Sequence, residues 1–505
     1  MSKNSKSRSA TARTSTKRST ASLSTSGFFQ PFERSPLIPV STSPVRRIHF
    51  VGICGTAMGA VAAGMKEQGW IVTGSDNQAY PPMSDFLASR GIEVFSGFRP
   101  ENLPSEEALI VVGNAISRGN PEVEAVLNRK LNYASLPEVL RAHFLRGRHN
   151  IVITGTHGKT TTTSMTAWIL EYAGKNPSYL IGGIPGNLGQ GACLRDEKSS
   201  RHFVIEGDEY DTAFFDKRSK FLHYLPELVV VNNIEFDHAD IFENLDAIKL
   251  SFRRLLNVVP TEGMVLVNAD DPNCLDIVRN CHAPIVEVGF SENAGNRILN
   301  PWQKEGRSGF DLFGEKFEIP MSGEFNIRNA AMAVSAAHFY GVPAATIREA
   351  LLQFRGIKRR QEVRGVLGGI TVIDDFGHHP TAIRQTLEGL AKHYIGSRLW
   401  ALFEPRSNTT RRAVFQEEFP KAFAAAHGVV IGEVNRAADL KPEERLDAER
   451  LVADLVKAGK PAFHEPSADR IIEQLRPQLK EGDVLVVLSN GAFDGLHTKL
   501  LSALT

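Results

Sequence analysis

Thr154-Gly155-Thr156-His157-Gly158-Lys159-Thr160-Thr161 follows the apolar run Ile151-Val152-Ile153 and precedes a helix-like stretch over residues 164–170. Strand, glycine turn and helix start fall in register here, and that order builds an anion site. Backbone N–H groups and the positive end of the helix dipole face the ligand, a lysine adds a mobile charge, and a hydroxyl can reach Mg²⁺. The general phosphate-loop pattern has a further glycine where Ile153 stands, so this is a shortened form, G-T-x-G-K-T-T. Read this way the chain binds a nucleoside triphosphate; the bland alternative is a Gly-Lys-Thr turn with no ligand.

Length and composition bound what surrounds the loop. A chain of 505 residues exceeds what one hydrophobic core organises, so about three domains are expected. Apolar residues at 42% and charged residues at 23% are those of a soluble globular protein. No apolar run approaches the ~20 residues of a membrane helix, so membrane insertion is not expected. Cys54, Cys193, Cys274 and Cys281 show neither metal-ligand spacing nor a disulfide framework, which makes a reducing cytoplasm the expected compartment. Net charge is +1, but residues 1–45 hold seven bases against one acid, Glu33, and the remainder is slightly acidic. No nucleic-acid-binding face is implied.

Residues 1–45 are rich in Ser and Thr and carry Pro31, Pro36, Pro39 and Pro44. They cannot bury enough apolar area to offset chain entropy and read as a disordered, dispensable tail. Their Arg/Ser-rich, acid-poor character also resembles an organelle transit peptide, and an upstream start codon would give a similar stretch. The lack of an apolar run of roughly 7–15 residues excludes a secretory signal.

Three α/β segments follow, at 46–148, 149–355 and 356–505. The first opens with a buried strand, Arg47-Ile48-His49-Phe50-Val51, then Gly52-Ile53-Cys54-Gly55-Thr56-Ala57-Met58-Gly59. A helix over 60–68 and a strand over 70–74 ending in Ser75-Asp76 complete a βαβ order, with an acid where a ribose would lie. The glycines run G-x-x-G-x-x-x-G and not G-x-G-x-x-G. Any nucleotide diphosphate could use such a turn, a Rossmann dehydrogenase fits it poorly, and an empty turn is the bland alternative. A further strand over 108–113 follows.

The middle segment adds strands at 202–205, 228–232 and 264–267, a small β excursion over 298–320, and an alanine-rich helix over 330–340 opened by Phe325-Asn326-Ile327-Arg328-Asn329. The last segment alternates strands at 370–373, 399–403, 429–431 and 484–488 with helices, again a mostly parallel sheet.

Acidic residues gather at the end of what reads as the middle segment's second strand, Glu206-Gly207-Asp208-Glu209-Tyr210-Asp211. Ligands in open α/β sheets sit beyond the carboxyl ends of strands, so a carboxylate here can complete a Mg²⁺ shell with Thr160 and phosphate oxygens. The next strand ends in Asn232-Asn233-Ile234-Glu235-Phe236-Asp237-His238, where His238 is either a second metal ligand or a structural histidine. The pair His378-His379, after Asp374-Asp375-Phe376-Gly377, invites a zinc reading. No other Cys or His stands at zinc-finger spacing, so zinc is not expected.

G-T-H-G-K-T-T, E-G-D-E-Y-D, N-N-I-E-F-D-H, F-N-I-R-N-A, Arg359-Arg360 and D-D-F-G-H-H-P, in this order, resemble the motifs of the Mur ligases, ATP-dependent amide-forming enzymes of peptidoglycan assembly. The resemblance runs from Arg46 to the C-terminus. It implies an α/β protein of three domains: an N-terminal Rossmann-like UDP-sugar-binding domain, a central P-loop ATPase-like domain and a C-terminal Rossmann-like peptide-binding domain. Three passages resemble the murein-recycling branch most. They are Tyr80-Pro81-Pro82-Met83-Ser84, Glu404-Pro405-Arg406-Ser407-Asn408-Thr409 and the stretch from Leu488 to His497. That branch joins the tripeptide L-alanyl-γ-D-glutamyl-meso-diaminopimelate to UDP-N-acetylmuramate through an acyl phosphate. The alternative branch adds L-alanine to the same nucleotide sugar, and a switch or binding module that merely hydrolyses ATP is a rival of another class.

By resemblance the cofactors are ATP and Mg²⁺. Gly155, Thr156, His157, Gly158, Lys159, Thr160, Thr161, Asn326 and Asn329 would bind ATP, and Thr160, Glu206 and His238 would hold metal. Lys159, Glu206, His238, Arg360 and Asp375 would be catalytic. Gly52, Gly55, Thr56, Ala57, Met58, Ser75 and Asp76 would cradle the UDP-sugar, and Arg406, Ser407, Asn408, Asn490 and His497 the peptide. The family motif usually reads H-N-x-x-N, and Phe325 replaces its histidine here. Several sister ligases carbamylate a lysine near the place of Lys249, which reads instead as an exposed helix lysine.

Overall fold

The computed structural model describes residues 46–504 other than Gln78, Pro81, Pro82 and Glu106. The tail at 1–45 and the prolines of the passage at 80–84 lie outside the described residues. Three sheets carry the molecule. The first has five parallel strands in the order Glu93–Ser96, Ile71–Asp76, Arg47–Val51, Leu109–Val112, Tyr133–Ser135. The chain reverses its winding beside Arg47–Val51, which opens a crevice at that strand's carboxyl end. The helix that follows begins at Thr56, four residues earlier than the apolar pattern predicts, so the glycine turn is short and Gly52 takes φ 87°.

The central sheet has eight strands, in the order Asn296–Arg297, Ile285–Gly289, Met264–Asn268, Leu228–Val231, His149–Thr154, His202–Glu206, Ser178–Leu180, Ala192–Cys193. Only the last is antiparallel to its neighbour. His202–Glu206 lies directly beside the phosphate-loop strand, as the acidic motif requires. It is not the second strand of this segment, however: Ser178–Leu180 and Ala192–Cys193 come before it in the chain. Both are short strands toward one edge of the sheet, with too few residues to show a period. The phosphate-loop helix, Lys159–Tyr172, and the helix Glu324–Phe339 pack against each other through Ala330, Ala331, Ala333, Ala336 and Ala337, all buried. The β excursion is a three-stranded antiparallel sheet, Leu299–Lys304, Arg307–Leu312 and Glu315–Ile319. Its two-residue turns, Glu305-Gly306 and Phe313-Gly314, are left-handed at both positions, the form that suits the twist of paired strands.

The C-terminal sheet has the order Glu362–Leu367, Ile370–Asp375, Val484–Leu488, Leu399–Phe403, Gly428–Ile431, Ala462–His464, parallel except for its first pair. The segment leading into it still belongs to the middle of the molecule. Ile357 packs in the central core, and Lys358 N–H donates to the Ile184 carbonyl at 3.0 Å.

The three domains are not joined alike. One continuous apolar cluster runs from Ile48, Phe50 and Phe144 in the first domain to Val152, Phe203 and Phe252 in the second. The C-terminal domain keeps its own cores, on either side of its sheet. It meets the central domain through polar contacts: Asn408 to Asp240 at 2.8 Å, Thr381 to Glu235 at 2.6 Å, and Arg360 to Thr160 at 3.4 Å. A buried phenylalanine contributes about 1.5–3 kcal/mol, a hydrogen bond a net of about 0.5–1.5. The first junction is therefore a shared apolar core and the second a set of polar contacts.

Candidate active site

A cavity of about 980 Å³ lies where the three sheets present their carboxyl ends, running from the glycine turn at Gly52 to the phosphate loop and on to Asp375. The loop is shaped by two glycines that no other residue could replace. Gly155 has φ 132° and Gly158 φ 80°; a Cβ on Gly158 would stand 2.4 Å from the Asn329 side-chain oxygen. The helix that starts at Lys159 has no side-chain cap, so its N-terminal N–H groups are left for a ligand.

Lys159 is not waiting as a bare charge. Its Nζ donates to both Glu209 oxygens at 2.9 Å and to the Gly155 carbonyl at 2.7 Å. Burial works against the ammonium, but Glu209, then Asp208, outweigh it and hold its pKa above the ordinary value. Glu209, almost wholly buried, also accepts from His238 Nε2 at 2.8 Å. Burial opposes its charge as well, and Lys159 and His238 overcome that opposition. His238 sits at φ 55°, a left-handed conformation that costs a non-glycine residue roughly 1 kcal/mol. Strain of that kind collects at functional sites.

Glu206 is placed differently. One oxygen accepts the Gly182 N–H at 2.6 Å and the other lies 3.3 Å from Thr160 Oγ1. Burial pushes its pKa up, and Gly182, Lys159 and Arg360 only partly offset this. Glu206, Glu209 and His238 do not converge on one point. Thr160 with Glu206, and His238 with Glu209, form two separate centres. Asp375 accepts from the Gly377 and Gln361 N–H groups at 2.7 and 2.9 Å, which shapes the turn carrying Arg360. Arg360 stacks over Phe376 with its guanidinium 4.9 Å from the ring centre.

The UDP-sugar residues divide. Gly52, Gly55, Thr56, Ala57, Met58 and Asp76 line the cavity. Asp76 accepts the Cys54 N–H at 2.9 Å and so tightens the turn. The Ser75 side chain is fully buried and donates to Glu122, away from the cavity. Thr156, His157, Gly158, Lys159, Thr160, Thr161, Asn326 and Asn329 line the same space, as does Phe325, while Gly155 acts through its carbonyl and its backbone shape.

The five peptide candidates lie outside the cavity wall. Arg406 pairs with Glu404 at 3.4 Å, Ser407 bonds Thr410 at 2.9 Å, and Asn408 reaches Asp240. His497 pairs with buried Asp374 at 3.0 Å, and the buried Asn490 side-chain oxygen has no hydrogen-bond partner. Lys249 is partly buried, not exposed, pairs with Asp276 at 3.5 Å and does not line the cavity. Sequence reading missed the roles of Glu209 and Glu235. Both stand inside motifs already singled out, and only the fold distinguishes one acid of a run from the next.

Residues 47–148 match the Mur ligase family catalytic domain, 153–337 the Mur ligase middle domain and 359–491 the Mur ligase glutamate ligase domain. The chain belongs to the Mur ligase family. It is 42% identical over 469 residues to a UDP-N-acetylmuramate–L-alanyl-γ-D-glutamyl-meso-2,6-diaminoheptandioate ligase of Haemophilus influenzae, covering 91% of this chain and 99% of that one. A UDP-N-acetylmuramate–L-alanine ligase of Persephonella marina is 34% identical, with 88% and 94% covered. A murein peptide ligase structure from Psychrobacter arcticus superposes with a TM-score of 0.67 at 36% identity, covering 91% of this chain and 98% of that one. Mur ligases are ATP-dependent, which accounts for the open phosphate loop. No helix among the described residues is long and apolar enough to cross a membrane.

Proposed function

We propose that the protein joins L-alanyl-γ-D-glutamyl-meso-diaminopimelate to UDP-N-acetylmuramate, forming ADP and phosphate, in the recycling of murein and in the cytoplasm. The observation that carries the reading is the single cavity: the glycine turn at Gly52 and the Lys159 loop open into one space, closed by Arg360 and Asp375. A nucleotide sugar on the first and ATP on the second bring a sugar carboxylate to the γ-phosphate. The choice of amine rests on the higher identity to the tripeptide-adding relative.

In the first step the lactyl carboxylate oxygen bonds the γ-phosphorus, the bond to the β-γ bridging oxygen breaks, and ADP leaves. In the second the tripeptide's amine attacks the acyl phosphate, phosphate leaves, and the amine loses a proton. Two anions must meet in the first step, and the barrier is electrostatic. Lys159 answers it by exchanging Glu209 for phosphate oxygens. Arg360, held over Phe376, adds a second positive charge on the far side. Asn326 and Asn329 fix the nucleotide, and Arg406 offers its guanidinium to the tripeptide's carboxylates, with Ser407, Asn408, Asn490 and His497 shaping that end.

Two Mg²⁺ ions fit the donor set. Glu206 is a buried carboxylate whose charge only partly offset burial leaves short of a cation, beside a hydroxyl oxygen. Thr160 and Glu206 would hold one ion and His238 the other. When bound they supply neutralising charge to the phosphoryl oxygens.

ATP consumption with UDP-N-acetylmuramate plus either tripeptide or L-alanine tests the proposal. Turnover with tripeptide and little with alanine is expected; turnover with alanine alone overturns it.

A further inference from the structure

The histidine pair after the last segment's first acidic turn is not isolated in space. His379 begins the helix Pro380–His393 of the C-terminal domain, and two side chains of the central domain face it. His157 belongs to the phosphate loop. Glu235 follows Asn232-Asn233 at the end of the neighbouring strand. His157 Nε2 lies 3.5 Å from Glu235 Oε2, and His379 Nδ1 lies 3.6 Å from the same oxygen. All three donor atoms fall within 4.8 Å of one another, the only such group of His, Cys, Asp and Glu among the described residues.

The separations are too long for good hydrogen bonds, whose donor–acceptor distances centre near 2.9 Å. They match the edges of a tetrahedron with metal–ligand bonds of about 2.0–2.1 Å, which are about 3.3–3.4 Å long. His157 Nε2 is buried and has no hydrogen-bond partner. His379 has the arrangement usual for a metal-bound imidazole: its second nitrogen, Nε2, donates to the Phe236 carbonyl at 3.2 Å. That bond fixes the tautomer and leaves Nδ1 unprotonated, 3.6 Å from Glu235. The Nδ1 acceptor bond to the Thr381 N–H is long, 3.2 Å, and is readily exchanged for a metal bond. Thr381 Oγ1 holds Glu235 Oε2 at 2.6 Å, a further outer support.

We propose that His157, Glu235 and His379 form a transition-metal site of the Zn²⁺ class that ties the C-terminal domain to the phosphate loop. Two imidazoles and one carboxylate select Zn²⁺ or its neighbours over Mg²⁺, which prefers an all-oxygen shell. Burial holds His379 neutral, its pKa pushed down to about 3. Glu235 stays charged at about 2 because His157 and Thr381 outweigh its burial. Because His157 and Glu235 belong to the central domain and His379 to the C-terminal one, the site is complete only when the two are docked. An ion there acts as a clasp: it stabilises closure and, by opposing reopening, slows turnover.

The inference stands apart from the identity of the amine substrate, and its test uses metal binding rather than catalysis. Chelator-treated, nucleotide-free full-length protein is titrated with Zn²⁺ at saturating Mg²⁺ by calorimetry, and with Co²⁺ by visible absorption. One ion per chain is expected, with the intense Co²⁺ bands of a four-coordinate site and a smaller radius of gyration in solution scattering. His379→Asn keeps a good helix cap while removing the ligand, and Glu235→Gln keeps the shape. Each is expected to melt near the wild type in chelator and to weaken Zn²⁺ binding by about tenfold or more. Absence of stoichiometric binding overturns the proposal. So does affinity that both variants leave unchanged, which would locate the ion elsewhere.

Discussion

Two glycine turns line the same cavity, and they are built from the same backbone parts. Each is a parallel strand, a glycine turn and an uncapped helix N-terminus. The turn at Gly52 adds no charged side chain except Asp76, which is spent on the Cys54 N–H. The loop at Gly155 adds Lys159, and the neighbouring strand ends bring Glu206, Glu209 and His238 beside it; Lys159, Glu209 and His238 interlock, with Glu209 buried and the others partly so. On the proposed function, the difference separates a turn that only holds its ligand from a loop that changes it. A diphosphate that stays intact needs donors and shape. A phosphoryl group in flight needs charge that is already in place and can be handed over.

Lys159→Ala is expected to reduce ligation by on the order of 10³-fold or more, measured as ADP release, while UDP-N-acetylmuramate affinity by calorimetry stays within about twofold. Loss of both would erase the distinction between the two sites. Glu209→Gln leaves Lys159 buried without its counter-charge. It should destabilise the nucleotide-free protein by about 3 kcal/mol in chemical denaturation, with an ATP analogue restoring much of the loss. Equal destabilisation with and without nucleotide would mean that Lys159 never changes partner.

The pH dependence of metal binding sharpens the same contrast. Burial raises the Glu206 pKa, so the ion-free folded state binds a proton that the unfolded chain does not. The associated stability is present below the unfolded pKa and lost as pH rises through the raised one. A cation competes with that proton, so Mg²⁺ affinity should rise over the same interval, with proton release seen by calorimetry in buffers of different ionisation heat. Binding without proton release would remove Glu206 from the ion's shell. The smallest effect is expected at the other site: Asp76→Asn should raise KM for UDP-N-acetylmuramate by about threefold to tenfold and leave KM for ATP unchanged, since the amide keeps an acceptor for the Cys54 N–H and loses only the charge, a difference of roughly 1 kcal/mol.

What could be read in the sequence follows the same division. The long apolar strands, the phosphate loop and the acid run beside it are local signals, and the structure has them at the expected residues. Short strands such as Ser178–Leu180, and the hairpin Asp211–Ala213 with Asp216–Ser219, carry no period long enough to register. The resemblance puts Ser75 with Asp76 among the residues cradling the UDP-sugar. Yet a strand alternates faces, and Ser75 points to His49 and Glu122 on the other side. The meeting of His157 and Glu235 with His379 was illegible, since ligand spacing along the chain says nothing about residues that only domain docking brings together.

A crystal structure with UDP-N-acetylmuramate, Mg²⁺ and a non-hydrolysable ATP analogue tests the account most directly. It should place the UDP pyrophosphate at the turn of Gly52 and Thr56, with Lys159 Nζ moved from Glu209 to the γ-phosphate and ions on Glu206 and His238. Lys159 still bound to Glu209 beside an occupied nucleotide site, with Glu206 and His238 turned from any ion, would contradict it.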